Sequence, residues 1–331
     1  MLHRDGLLWI TDPWESLDHP RDTTLRLMQE CATLGIPSFW ADVTTVRWSQ
    51  EGTFLEVLEV PRIDALCSQC FSAFLPQGLL RPSDFRIVLY RPDPPVDLAY
   101  LHPLQMIVAS IETQQRAGGD RATELVNPAK VLLARGEKTE GAFAGQLMPP
   151  SIVASRFEVL ERFGREQGRT VLKPLHQAQS KGVQLLDWST EASRAACEHA
   201  IRLMTEGFRR PVLLQRYLPE VLDGETRIWL VDGEVLGAAR KKPAQGTFRI
   251  DMDKGGRLER HALTAQEQQI AKQIGAHLKQ QEIRLAAVDV IAGWVTDFNF
   301  TSPGLLPAME VLEGKNLARE VIRALAPEQR L

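Results

Sequence analysis

Asp289, Asp297 and Asn299 interrupt two otherwise apolar runs, Ala287 to Gly293 and Trp294 to Phe300, with oxygen-bearing side chains. Val288, Val290 and Ile291, then Val295, Phe298 and Phe300, read as two short strands about a turn at Gly293. That register sets Asp289 opposite Asp297. Side chains alternate along a strand, so Asp297 and Asn299 share one face while Phe298 and Phe300 take the other. Like charges directly across a strand pair repel. A bound Mg2+ removes the repulsion, because it takes a few carboxylate or carbonyl oxygens and completes its shell with water and substrate phosphates. The alternative is a solvated hairpin with incidental polar residues.

Basic residues stand at separate strand ends around this segment. Lys173 closes the apolar run Thr170 to Pro174, and Lys138 ends Arg135-Gly-Glu-Lys138. Arg227 and Arg240 lie at the two ends of a hairpin, Thr226 to Ala239, that turns at Asp232-Gly233, and Arg249 follows after a loop. Any one of them alone is most often a surface lysine or a rim salt bridge. Together, beside an oxygen-ligated cation, they suggest a nucleoside triphosphate, whose phosphates take forked arginine contacts.

The elements that would carry these residues begin with an apolar strand at Leu7 to Ile10. A helix follows from Thr23 to Leu34, stopped by Gly35, and an extended run starts at Pro37. Strand, helix and strand imply a parallel α/β layer. Phe85 to Tyr90 is a further strand, ended by Arg91-Pro-Asp-Pro-Pro95. The chain changes character near Asn127-Pro128. Helical periodicity marks Phe157 to Arg165 and Glu191 to Glu206, and Val212 to Leu218 is an apolar run ended by Pro219.

With 331 residues, 44% hydrophobic and 24% charged, the chain has room for two or three packed units. A net charge of −3 without a basic run gives no sign of nucleic acid or a membrane surface as partner. The apolar part of the first ten residues is too short for a signal peptide and no stretch could span a bilayer, so a cytoplasmic protein is expected. Cys67-Ser-Gln-Cys70 has redox or metal spacing, but no second Cys or His pair lies nearby, and buried thiols on a helix are expected instead.

In order and spacing the chain resembles the bacterial glutathione synthetases of the ATP-grasp superfamily. The resemblance runs through Asp12-Pro13, Asp22-Thr-Thr24, Arg91-Pro-Asp-Pro-Pro95, Asn127, Glu137-Lys138 and Leu172-Lys-Pro-Leu175. It continues through Gln215, Tyr217-Leu-Pro219, Asp223-Gly224, Arg227, Asp289 and Asp297-x-Asn299-x-Thr301-Ser-Pro303, with Asp297 where the family usually has Glu. It implies α/β and α+β architecture: an ATP-grasp fold with an N-terminal Rossmann-like (pre-ATP-grasp) domain at 1–126, a central lid at 127–215 and a metal-bearing C-terminal subdomain at 216–331.

The resemblance further implies an ATP-dependent carboxylate-amine ligase working through an acyl phosphate. ATP would be bound by Lys138, Lys173, Gln215, Tyr217, Leu218 and Asp223, and Mg2+, or alternatively Mn2+, by Asp289, Asp297 and Asn299. Arg227, Arg240 and Arg249 would be catalytic, and Asp22, Thr23, Thr24 and Arg91 would hold a small peptide or amino-acid substrate. γ-Glutamylcysteine and glycine are the expected pair, and the resemblance implies a homo-oligomer, a tetramer. Departures fall at His176 to Gly182, where the family carries a glycine-rich loop, at Asp251, where an asparagine is expected, and at Gly304-Leu-Leu-Pro307. They leave two alternatives open: another ligase of the same fold with a different acid or amine, and a nucleotide-binding regulatory protein without turnover.

Overall fold

The computed structural model describes residues 4–62, 68–118 and 122–326. Cys67 lies outside them. Cys70 falls in a 3-10 turn, Ser68–Ala73, rather than on an α-helix, while Cys31 and Cys197 are buried free thiols.

Three sheets organise the described residues. The first is built on Arg4–Thr11, which pairs in parallel with Ser38–Asp42 on one side and Phe85–Tyr90 on the other. Leu7 to Ile10 are at most 1% exposed, as expected of a parallel strand covered on both faces. Helix Thr23–Leu34 makes the first crossover. Asp22 caps it by accepting from the amides of Thr24 (2.6 Å) and Leu25 (3.0 Å), and Gly35 ends it at φ 70°. Helix Leu98–Arg116 makes the second crossover, from Phe85–Tyr90 to the parallel strand Glu124–Val126.

The second sheet, antiparallel, orders Gln184–Asp187, Arg169–Pro174, Val212–Arg216 and Ser151–Ala154. Helices Phe157–Gln167 and Glu191–Met204 pack on it around a separate core that includes Leu160, Leu172, Trp188, Ile201 and Leu214. The third sheet, also antiparallel, orders Arg257–Arg260, Glu234–Lys242, Glu225–Val231, Leu285–Ile291 and Trp294–Asn299. Its two tight turns, Asp232-Gly233 and Ala292-Gly293, have positive φ at both residues, the geometry that suits the twist of a two-residue hairpin.

The first and third sheets share their hydrophobic interior. One cluster joins Leu8, Ile10 and Tyr90 to Ile228, Val288 and Phe298; another joins Trp9 and Met28 to Trp229, Val321 and Ile322. Asn127 is a polar tie between them, donating to the carbonyls of Leu285 (2.8 Å) and Phe300 (2.6 Å) and accepting from the amides of Arg284 (2.9 Å) and Leu285 (3.0 Å). The four-stranded sheet starts only at Ser151. Residues 129–148 lie against the third sheet, where Val295 donates to Leu147 and Phe298 to Glu137. The change of character at Asn127 thus ends the first sheet without beginning the second.

Candidate active site

A cavity of about 430 Å3 lies where the three units meet, within the size range of small-molecule sites. The hairpin Leu285–Ile291 and Trp294–Asn299 brings Asp289 opposite Asp297 in register, and Asp297 and Asn299 face the cavity while Phe298 and Phe300 are fully buried behind them.

The repulsion between the two acids is met by the protein's own cations. Arg227 makes a forked pair with Asp289, Nε to Oδ1 at 2.9 Å and Nη2 to Oδ2 at 2.7 Å, and Lys241 Nζ lies 2.9 Å from the same Oδ2. Lys241 also pairs with Glu225, and Lys138 Nζ donates to Asp297 Oδ2 at 2.6 Å. Burial alone would raise the Asp289 carboxyl, but Arg227 and Lys241 hold it well below the usual carboxylate range. Glu225, with Asp289 as a repelling neighbour, is raised by burial despite Lys241. Burial works against charged Lys138, and the pull of Asp297 more than reverses it.

Opposed carboxylates therefore do not by themselves require a metal. A better indication is Asp297 Oδ1, which is buried and has no hydrogen-bond partner. Among the described residues no three acidic, histidine or cysteine side chains form a ready-made cage. Two carboxylates and the Asn299 amide oxygen fit a hard cation that draws its remaining ligands from water and phosphates.

Lys173 enters from the lid strand. It donates to Gln215 Oε1 (2.9 Å) and the Thr296 carbonyl (3.1 Å), both neutral, and burial lowers its pKa. Like Arg249 on the loop after Lys242, it lines the cavity without an ion-pair partner among the described residues. An enclosed cation placed as Lys173 is calls for an anion, and Arg249 adds a second, exposed positive charge at the cavity rim. Beside them Leu218, Val221 and Ile291 form an apolar slot with Tyr217 and Phe248, whose rings meet edge to face at 6.0 Å. The Gln215 amide nitrogen donates to Ser151 and the Tyr217 amide to Arg169, so both are already engaged inside the lid.

Two expected residues stand elsewhere. Arg240 projects from the opposite face of its strand, where it donates to Thr226 Oγ1 (3.0 Å) and Glu267 (3.2 Å) and contacts His261. Asp223 ends the 3-10 turn Pro219–Asp223 and is exposed, outside the cavity lining. The residue missed in Arg240's place is Lys241, its neighbour, buried at 7% exposure and directly opposite Glu225.

On the first unit, Asp22 and Thr23 line the cavity, and Thr23 Oγ1 also accepts from the Leu306 amide at 3.2 Å. Thr24 is buried behind them and accepts from Arg91 Nε at 2.7 Å. Gln177 to Lys181 border the cavity, with Gln179 and Ser180 both at φ 56° and Ser180 Oγ donating to the Ile250 carbonyl at 3.2 Å. Asp251 caps a short turn and pairs with Lys254, and Pro307 opens the helix Leu306–Glu313.

An α/β unit whose mixed sheet has a parallel core, joined to two antiparallel-sheet units and closing on a cavity of lysines and carboxylates, defines the ATP-grasp class. Solved structures agree: the chain matches a D-cycloserine synthetase with TM-score 0.66 at 19% identity, covering 98% of this chain and 100% of that one. It matches the ATP-grasp ligase PsnB complexed with a minimal precursor with TM-score 0.64 at 17% identity, over 99% and 100%. The family models for the N-terminal and ATP-grasp domains of prokaryotic glutathione synthetase match residues 6–117 and 137–314. The glutathione synthetase of Prochlorococcus marinus (strain MIT 9313) is 34% identical over 318 residues, 96% of this chain and 97% of that protein. That of Nostoc sp. (strain PCC 7120 / SAG 25.82 / UTEX 2576) is 30% identical over 328 residues, 96% of each.

The chain belongs to the prokaryotic glutathione synthetase family. It is an ATP-dependent carbon–nitrogen ligase that works with a divalent metal on small-molecule substrates. Among the described residues no helix is long and apolar enough to cross a membrane.

Proposed function

We propose that this protein joins the cysteinyl carboxyl of γ-glutamylcysteine to the amine of glycine, converting ATP to ADP and phosphate. The observation that carries the reading is the meeting, in one cavity, of unpaired cations (Lys173, Arg249) with a charge-balanced set of acids that includes an orphan oxygen on Asp297. Lys138, Lys173 and Lys241 would bind phosphate oxygens, and the slot around Leu218, Val221 and Ile291 would take the base. Arg227 acts by holding Asp289 in place. Arg249 faces the cavity from the loop and would stabilise the transferred phosphoryl group. Arg240, fixed on the outer face, has no part in this chemistry.

A magnesium ion on Asp289, Asp297 and Asn299 would neutralise developing charge between the phosphates. The substrate carboxylate takes the γ-phosphoryl group, giving an acyl phosphate, and the amine then displaces phosphate to form the amide. The lid, with Gln177 to Lys181 over the cavity, would exclude water from the acyl phosphate. Family membership supports a cytoplasmic homotetramer.

The test is to incubate purified protein with ATP, Mg2+, γ-glutamylcysteine and glycine and to quantify ADP and tripeptide. Equal amounts of the two are expected, dependent on both organic substrates. ADP release with a different acid or amine, and none with this pair, would assign the chain another substrate.

A further inference from the structure

The first sheet has a topological switch point. From Arg4–Thr11 the chain crosses to Ser38–Asp42 on one side, and from the adjacent Phe85–Tyr90 it crosses to Glu124–Val126 on the other. In open α/β sheets the crevice outside the carboxyl ends of two such strands is where ligands bind. Here those ends carry Asp12 and the segment Arg91-Pro-Asp-Pro-Pro95, and the Asp93 amide donates to Asp12 Oδ2 at 2.7 Å across the crevice.

Arg91 and Asp93 are charges of opposite sign that are not paired with each other. Arg91 is 4% exposed, lines the cavity, and donates to neutral oxygens alone: Thr24 Oγ1 (2.7 Å), Ser302 Oγ (3.3 Å) and the Pro303 carbonyl (3.2 Å). No carboxylate among the described residues lies within ion-pair distance of it. Asp93 faces the same cavity, and Ser302, which accepts from Arg91, lies close enough to Asp93 to lower its carboxyl pKa. Prolines at 92, 94 and 95 fix the backbone around it. A buried cation without an anion, beside an exposed anion without a cation, both judged among the described residues, is the complement of a zwitterion.

We propose that Asp93, with Arg91, binds the α-amino-acid head of the acid substrate, and that Asp93 is the residue that selects for its ammonium group. The proposal rests on the ligase reading for the identity of the substrate. Of the two organic substrates, γ-glutamylcysteine has such a head at the end remote from its reacting carboxyl. Glycine is excluded, because its amine must be neutral to attack and a carboxylate would hold it as ammonium. The head also lies within reach of the chemistry, since Ser302 is three residues beyond Asn299, at most roughly 10 Å of extended chain. Asp93 is itself exposed to the cavity, but the protein crowded around it and repulsion from Asp22 and Asp12 push its carboxyl up to about 6, which a bound ammonium would oppose.

The experiment compares γ-glutamylcysteine with glutarylcysteine, which keeps the terminal carboxylate and lacks the ammonium. The wild type should show kcat/KM lower by roughly 10- to 100-fold for glutarylcysteine, the loss expected for one charged hydrogen bond. Asp93→Asn should raise KM for γ-glutamylcysteine by a similar factor, leave KM for ATP and glycine within about twofold, and abolish the discrimination. Calorimetry of both acids with a non-hydrolysable ATP analogue reads the same selectivity without turnover. Selective binding without tripeptide synthesis would overturn the glutathione reading and leave the Asp93 assignment standing. Equal use and equal binding of the two acids by the wild type, or discrimination that survives in Asp93→Asn, would overturn the assignment.

Discussion

The strands Glu225–Val231 and Glu234–Lys242 carry a charge cluster on each face, and the two clusters have opposite characters. On the cavity face, Glu225, Arg227 and Lys241 gather with Asp289, and Asp297 nearby keeps one oxygen unbonded. On the outer face, Glu267 is saturated: it accepts from Thr226 Oγ1 (2.6 Å), His261 (2.8 Å), the Thr264 amide (2.9 Å) and hydroxyl (3.0 Å), and Arg240 (3.2 Å). Similar residue types thus give, on one side, a structural network closed around Glu267 that leaves only Arg240 Nε without a partner and, on the other, a cluster open to the cavity. The open cluster faces the cavity, where by the proposed function ligand atoms would complete it; the closed one staples helix Ala265–Gln281 to the sheet.

The largest expected effect comes from breaking the open cluster at its centre. Asp289→Asn should lower turnover by roughly 1000-fold, measured as ADP release, because it removes the proposed metal ligand and the partner of two cations. It should also lower the thermal midpoint, since breaking a buried pair costs about 3 kcal/mol or more. Unchanged turnover would exclude Asp289 from the site.

The closed cluster should answer to acid instead. Burial would raise the Glu267 carboxyl, but the bonds from Thr226, Thr264 and His261 bring it down to about 2. Its folded value lies below its unfolded one of about 4.3, so its stabilisation is complete above that pH and is lost as pH falls towards 2. The amount is about 3 kcal/mol at most. Thermal melts across this range should show the loss in the wild type and a flatter profile in Glu267→Gln, with turnover at neutral pH within about threefold.

The difference between the faces also sets how far the sequence could be read. Asp289 opposite Asp297 was legible from strand alternation about a turn centred on Gly293; the turn is Ala292-Gly293, which uninterrupted would pair residue 289 with 296, and a one-residue shift between Asp289 and Val290 restores the expected pair. Arg240 and Lys241 were not separable. Counting outward from Asp232-Gly233 without interruption pairs residue 225 with 240. The strands instead shift by one residue between Trp229 and Leu230, so that Trp229 pairs with Gly237 and Glu225 with Lys241. Such a bulge exchanges the faces of every side chain beyond it, and nothing in the local pattern announces it. The parallel layer from Leu7 to Pro37 was readable from continuous apolar runs and helix stops. Two long helices were not: Leu98–Arg116 contains Pro103, and Ala265–Gln281 signals itself mainly through the capping box of Thr264 and Glu267. Burial of Arg91 without a carboxylate partner depends on three segments far apart in the chain, and only the fold brings them together.

The central claim is that the bulge gives Lys241 to the chemistry and Arg240 to the scaffold. Steady-state kinetics of Lys241→Met beside Arg240→Met, with thermal melts of both, tests it most directly. Lys241→Met should lose roughly 100-fold in kcat. Arg240→Met should keep kcat within about threefold and lose about 1–3 kcal/mol of stability. The reverse pattern, with turnover lost in Arg240→Met and kept in Lys241→Met, would contradict the account.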